Sequence, residues 1–414
     1  MTRPTRPTGQ ILAEHRQRAS LTQEQLAERA GVSVETIRKL EQGVRRSARM
    51  DTLHALARAL GLPTSALVGD QAEGAARAEP DHRPLSLAEI RRAVAPIRGL
   101  GGTTLAAPPG EPPAHDVLRA RLHAADRAYQ ANDYATALSA LPPLLLDVRA
   151  ASGLAADTAR PAAYVLLART LHLTGNLLIQ LRAGDLAQTA LSDALAAAEA
   201  AGDQVVAATV VQGMTWLLMR QGRLAEAAEL AVATADQVEP RFSRAAPAEL
   251  AAWGWLAMGA AAAYARDNQP DMAAELVDAA GAAAVRIGER APAADHLMMV
   301  GGFDAARVQM QRVENAAVAG DPGRALDLAR AVPPGPTPVR SSWQRHRLDV
   351  AWAHAEQHQY ADATGVLLEL QDRAPAWLRH QRYARDIVRQ IAEGRRRAMS
   401  SELAELAALV GCTP

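Results

Sequence analysis

The chain has 414 residues, 45 Lys+Arg and 45 Asp+Glu, so its formal net charge is zero, and only 3% of its residues are aromatic. That length calls for two or three domains, and alanine-rich stretches poor in aromatics favour close-packed helices over sheet, so the composition predicts an all-α protein. The single cysteine, Cys412, excludes an intrachain disulfide and a cysteine-cluster metal site, which fits a reducing compartment. No apolar run reaches the roughly 18 residues of a membrane span and the start MTRPTRPT has no apolar core, so a cytoplasmic protein without a membrane partner is expected.

Charge is unevenly spread. Residues 1–70 carry 11 Lys+Arg against 7 Asp+Glu, so the positive end is where a polyanion would dock. Lys39 is the sole lysine beside many arginines, a bias of high-GC codon usage.

The first predicted helix spans Gly9 to Arg18, with Ile11, Leu12 and Ala19 at helical spacing. The segment LTQEQLAERAGVSVETIRKLEQG, residues 21–43, carries the most information. Thr22 and Gln25 form a capping box for a helix from Gln23 to Ala30, and Gly31 supplies the positive φ of a tight turn. Ser33 caps a second helix from Val34 to about Glu41. Leu26, Ala27, Ile37 and Leu40 then face one core, Ala27 being small where the helices cross, with Val32 filling the turn. Thr52 to Leu60 forms a further helix, stopped by Gly61 and Pro63, and a short turn follows near Ser65.

Two short helices around a glycine turn make a helix-turn-helix, whose second helix enters the major groove of DNA. Residues 9–69 resemble the lambda-repressor and Cro type found in XRE-like bacterial regulators, which implies a five-helix DNA-binding domain. By that resemblance Gln23 holds a DNA phosphate at a helix N-terminus. Ser33, Val34, Glu35, Thr36 and Lys39 occupy positions that read base edges or adjacent phosphates. Lys39 suits guanine O6/N7, Glu35 cytosine N4, and Val34 a thymine methyl. Arg38, Arg45, Arg46 and Arg49 are expected to grip the backbone.

Residues 70–115 are rich in Gly, Pro and small polar residues and read as a linker. Ser86 and Glu89 form a capping box within it, predicting a short helix from Ser86 to Pro96. Gly99, Gly101 and Gly102 do not complete a dinucleotide-binding fingerprint.

From 116 to 411 a phrase recurs: NDYATAL, GDLAQTA, GRLAEAA, NQPDMAA, GDPGRAL and HQYADAT. With Tyr134, Leu186, Leu224, Pro270, Pro322 and Tyr360 as anchors, a small residue stands three positions on: Ala137, Thr189, Ala227, Ala273, Ala325 and Ala363. That pattern predicts paired helices stacked as an α-solenoid. It resembles tetratricopeptide repeats with lengthened helices. The combination with the first domain resembles a group of actinobacterial regulators and, more distantly, the peptide-pheromone receptors of Gram-positive bacteria. Arg307 and Gln311 stand where the actinobacterial group has asparagine and histidine.

The concave face of such a stack suits an extended ligand. Counting back from the anchors points Gln212, Trp216, Trp255, Met258, Arg307, Met310, Glu314, Arg345 and Trp352 inward, an amide, arginines and aromatics fit for a short peptide or small molecule.

Chemistry is not signalled. No GK[ST] phosphate loop, nucleophile elbow or cofactor motif occurs. His354 and His358, read as one helical turn apart, lack the glutamate and third ligand of a zinc site. The expectation is a homodimeric regulator on a near-palindromic double-stranded DNA operator, controlled by a ligand and related to quorum sensing. The alternative is a DNA-tethered adaptor whose repeats hold a sigma factor or kinase.

Overall fold

Local chemistry sets the ends of the first helices. In the computed structural model, which describes residues 7–45, 48, 50–68, 87–97, 111–288, 302–333, 340–379, 381–394 and 400–412, every assigned element is a helix. The first five are α1 (Thr8–Arg18), α2 (Gln23–Ala30), α3 (Val34–Glu41), α4 (Met50–Leu60) and α5 (Ser65–Val68). The capping box is formed: Gln25 N donates to Thr22 Oγ1 at 3.1 Å and Thr22 N to Gln25 Oε1 at 2.9 Å. Gly31 takes φ 64°, a left-handed conformation that costs a residue with a Cβ more than a glycine. Thr36 N donates to Ser33 Oγ at 3.3 Å. Leu12, Leu26, Ile37, Leu40, Leu56 and Leu67 fill one core.

Helix α1 crosses α3 where Gly9 leaves room. A Cβ on Gly9 would stand 1.8 Å from the Leu40 carbonyl oxygen, so only glycine fits there.

The short helix α6 (Ala88–Val94) does form, but its role differs from that of a linker insert. Ile90, Ala93 and Val94 are buried in the same core as Leu141 and Leu145, and Arg149 Nη2 donates to the Val94 carbonyl at 3.1 Å. Apolar burial outweighs the polar surroundings of this segment. The expected cap Ser86 lies outside the described residues.

Six helix pairs follow: α7 (His115–Gln130) with α8 (Tyr134–Leu154), α9 (Arg160–Gln180) with α10 (Gly184–Ala201), α11 (Gln204–Gln221) with α12 (Leu224–Gln237), α13 (Pro247–Arg266) with α14 (Pro270–Gly288), α15 (Ala305–Val318) with α16 (Pro322–Ala329), and α17 (Arg340–Glu356) with α18 (Tyr360–Arg373). Each intra-pair turn contains one positive-φ residue two positions before the second helix: Asn132, Arg182, Gly222, Asn268, Gly320 and His358. The spacing explains the recurring phrase, and Ala137, Ala227, Ala273, Ala325 and Ala363 are all buried where the helices meet. The second pair is displaced from the sequence reading. Its second helix begins at Gly184, so Ala187 is the buried small residue and Thr189 is exposed. The positive φ falls there on Arg182, which has the side chain of neither a glycine nor an asparagine to announce it.

The stack ends in α19 (Pro375–Arg379), α20 (Arg382–Gly394) and α21 (Ser401–Leu409), which cover Leu367 and Leu370 with Ile387, Leu403 and Leu406. Asn132, in the first turn, donates to Gln344 Oε1 on α17 at 3.2 Å, so the superhelix curls until its first pair meets its sixth. Helix α9 is long and apolar enough to cross a membrane, yet most of it is buried against its neighbours.

Candidate DNA-binding surface and its seat on the helix stack

The exposed side of α3 follows from the buried one. Ile37 and Leu40 are in the core and Val34 packs against it, which turns Glu35, Arg38 and Lys39 outward with side chains 54%, 47% and 51% exposed. Glu35 lies between two cations, 3.0 Å from Arg38 Nη1 and 3.4 Å from Lys39 Nζ. Ser33 and Thr36 hydroxyls are 2.8 Å apart at the helix start. Arg45 is exposed beyond α3, while Arg46 and Arg49 lie outside the described residues. The structure therefore brings Ser33, Glu35, Thr36, Arg38 and Lys39 together on one face.

Gln23 is placed differently. Its side-chain amide donates to Glu41 Oε2 at 2.7 Å instead of standing free at the start of α2. The same carboxylate receives Arg16 Nε at 2.7 Å and Nη2 at 2.9 Å, while Arg16 Nη1 reaches the Leu21 carbonyl at 2.8 Å. Glu41 thus ties α1, α2 and α3, and its hydrogen bonds raise the Arg16 guanidinium above its ordinary pKa. Sequence reasoning missed Arg16 and Glu41, although the helical phase of Glu41 relative to Leu40 was available. Hydrogen bonds from its own backbone N–H and the Thr22 hydroxyl hold the Glu24 carboxyl low.

Through α4, α5 and the turn between them, the module sits on the turns of three successive pairs. Thr64 Oγ1 donates to the Arg266 carbonyl at 2.8 Å. The His54 ring places Nδ1 2.9 Å from that oxygen and Nε2 3.0 Å from the Val318 carbonyl. Burial, the largest effect, lowers the His54 pKa. Buried Asp267 accepts Ser65 N at 2.6 Å and Ser65 Oγ at 3.0 Å, satisfying the first turn of α5. Asn268 Nδ2 donates to the Leu62 carbonyl at 3.1 Å, and Arg58 Nη1 to the Ala319 carbonyl at 2.8 Å. Met50 rests on Gly222, whose added Cβ would lie 3.1 Å from its sulfur.

Inside the stack the inward-pointing set divides. Trp255, Met258 and Met310 are buried core residues, Trp255 packing on Phe303 with centroids 6.0 Å apart. In this conformation they form the wall, a correction to their reading as exposed contacts. The face turned to the neighbouring helix lies only one residue step from the open face. Gln212 is also buried, against Gly259, with Oε1 unpaired. Trp216 and Trp352 are half-buried. Arg307, Glu314 and Arg345 come together, with Arg266, Asp349 and Tyr383 beside them. Arg266 Nη2 donates to Glu314 Oε1, and Arg345 Nε lies 3.4 Å from Asp349 Oδ1. The arginines hold the Glu314 carboxyl at about 2 despite burial, whereas burial pushes Asp349 up to about 7.

His354 and His358 are not on one helix. Helix α17 ends at Glu356 and His358 occupies the turn at φ 59°, its ring 2.8 Å from the Tyr360 hydroxyl, while His354 meets Gln359.

A helix-turn-helix family profile matches residues 12–67. An uncharacterized HTH-type transcriptional regulator of Methanothermobacter thermautotrophicus is 51% identical over 51 residues, 12% of this chain and 72% of that protein. The crystal structure of Bacillus thuringiensis PlcR in complex with the peptide PapR7 and DNA overlaps 78% of this chain and 94% of its own, with TM-score 0.32 and 12% identity. The profile runs from α1 into α5 and includes the capped, glycine-turned pair α2 and α3, and the chain belongs to the helix-turn-helix family of transcriptional regulators.

Proposed function

We propose that the chain is a sequence-specific transcriptional regulator that binds a near-palindromic operator as a homodimer, under the control of a ligand held inside the helix stack. One observation carries the reading: the outward row Glu35, Arg38 and Lys39 on α3, whose opposite face is locked into the core. A helix so presented fits the major groove, and two copies roughly 34 Å apart meet successive grooves on one side of the duplex. Lys39 and Glu35 read base edges, while Arg38 and Arg45 contact phosphate.

The ligand, a short peptide or small molecule, lies against Trp216, Arg307, Glu314, Arg345 and Trp352, with Gln212, Trp255, Met258 and Met310 forming the wall behind. Its differential affinity for two arrangements of the module shifts the population competent for DNA.

Genome-wide mapping of DNA bound by the full chain tests this reading. A shared near-palindromic sequence is expected; binding scattered without a common sequence overturns it.

A further inference from the structure

Three arginines converge on Glu314 from three successive first helices, Arg266 on α13, Arg307 on α15 and Arg345 on α17, and Arg220 on α11 lies within reach of the charges of Arg266 and Arg345. Arg220 is lowered by burial and then by the charges of Arg182, Arg345 and Arg266. Two carboxylates share the space. Glu314 is bonded to Arg266, and Asp349 stands 3.4 Å from Arg345, its carboxyl pushed up by burial. A guanidinium does not shed its proton, and of these four only Arg266 and Arg345 have a carboxylate within 4 Å among the described residues.

Aromatic rings offset part of this imbalance. The Arg307 guanidinium lies 5.3 Å from the Trp255 ring centroid and that of Arg345 4.5 Å from Tyr383. Arg307 Nε is nevertheless buried without a hydrogen-bond partner. The groove remains open to solvent, since the side chains of Arg345 and Arg266 keep 39% and 29% exposure.

The geometry points to a binding site for an oxyanion, carboxylate or phosphate, on Arg220, Arg307 and Arg345, with the ligand competing against Glu314 for Arg266. A guanidinium presents a planar fork of N–H donors that matches either group. Arg266 gives the site an outlet. Its side chain faces the groove while its carbonyl oxygen receives Thr64 and adjoins His54 of the DNA-binding module. An anion that draws the guanidinium away from Glu314 therefore acts on the residue that seats the module. This deepens, and rests on, the reading of the chain as a ligand-controlled regulator.

The test uses the full chain at constant ionic strength, with citrate and pyrophosphate as probes and chloride as the reference anion. Either probe raises the melting temperature, and Arg307→Gln and Arg345→Gln each weaken its apparent affinity about tenfold or more. Arg312→Gln, whose guanidinium pairs with Asp278 between α14 and α15, leaves the response unchanged. Where a glutamine variant fails to fold, Arg307→Lys keeps the charge and loses the fork, and it too weakens binding. A response to citrate alone assigns the site to carboxylates; one to pyrophosphate alone assigns it to phosphates. No response to either probe, or an equal response in wild type and Arg345→Gln or Arg307→Lys, overturns the site. A protein that finds a shared operator yet ignores both anions refutes this site alone, whereas absence of an operator refutes the regulator reading.

Discussion

The carbonyl oxygen of Arg266, at the end of α13, lies 2.8 Å from Thr64 Oγ1 in the turn before α5, so the DNA-binding module and the helix stack share a partly buried hydrogen bond across 202 residues of chain. Asp267, the next residue, holds the amide and hydroxyl of Ser65. The orientation of α3 relative to the stack is thereby fixed by a few polar contacts at turn tips, with His54 and Arg58 completing the seat.

Asp267→Ala removes the acceptor from the Ser65 amide and leaves a donor unpaired, at a cost of about 1 to 3 kcal/mol. Hydrogen exchange of the α5 amides is expected to accelerate while exchange in α9 and α10 stays unchanged. Unaltered exchange at Ser65 would show that the seat is not formed in solution.

Lys39→Ala should relax selectivity at one base pair by about 1 to 3 kcal/mol. Binding to operators substituted one position at a time measures it. Loss of affinity spread evenly over all positions would assign Lys39 to phosphate.

Glu41→Ala leaves the Arg16 guanidinium and the Gln23 amide without their common acceptor inside the module. Breaking a pair so little exposed costs on the order of 3 kcal/mol, read by urea unfolding together with loss of DNA binding. Gly9→Ala costs about 1 to 3 kcal/mol by forcing α1 off α3.

Much of this module was legible in the sequence, because its signals are local: a capping box, a turn glycine, a small residue at the crossing. The pair turns were legible for the same reason wherever glycine or asparagine marked the positive φ. His358 carries none of these marks either, but the phrase around Tyr360 kept its register; at Arg182 nothing marked the turn, Gly184 stood two residues on, and the anchor was read two residues late. The seat was not legible, since contacts such as Thr64 with Arg266 leave no periodicity. Inside the stack, Arg307, Glu314 and Arg345 were found by spacing. Arg220 and Arg266 were missed because they lie at helix ends, nearer the turn than the positions counted, and Asp349 because it falls between them.

Burial holds His172 and His346 down to about 4, and His172 Nε2 accepts from Asn176 Nδ2 at 3.1 Å as a neutral ring. A lowered folded pKa means the stabilising contribution is present above the ordinary value of about 6.5 and is lost as pH falls toward 4, at about 1.4 kcal/mol per unit. Asp349, pushed up to about 7, works the other way: its contribution favours the folded chain below the ordinary carboxylate range and declines as pH rises toward 7. The stability difference between wild type and His172→Gln isolates the first effect. It should narrow as pH falls from 6.5 to 4; a difference independent of pH would mean that His172 does not titrate on unfolding.

The most direct test of control through the stack is the affinity of the purified full chain for its mapped operator, measured by fluorescence anisotropy with and without a low-molecular-mass cell extract. A ligand-controlled regulator predicts a shift of about 5-fold or more, abolished in Arg307→Gln with binding in the absence of extract retained. Identical affinities with and without extract would contradict it.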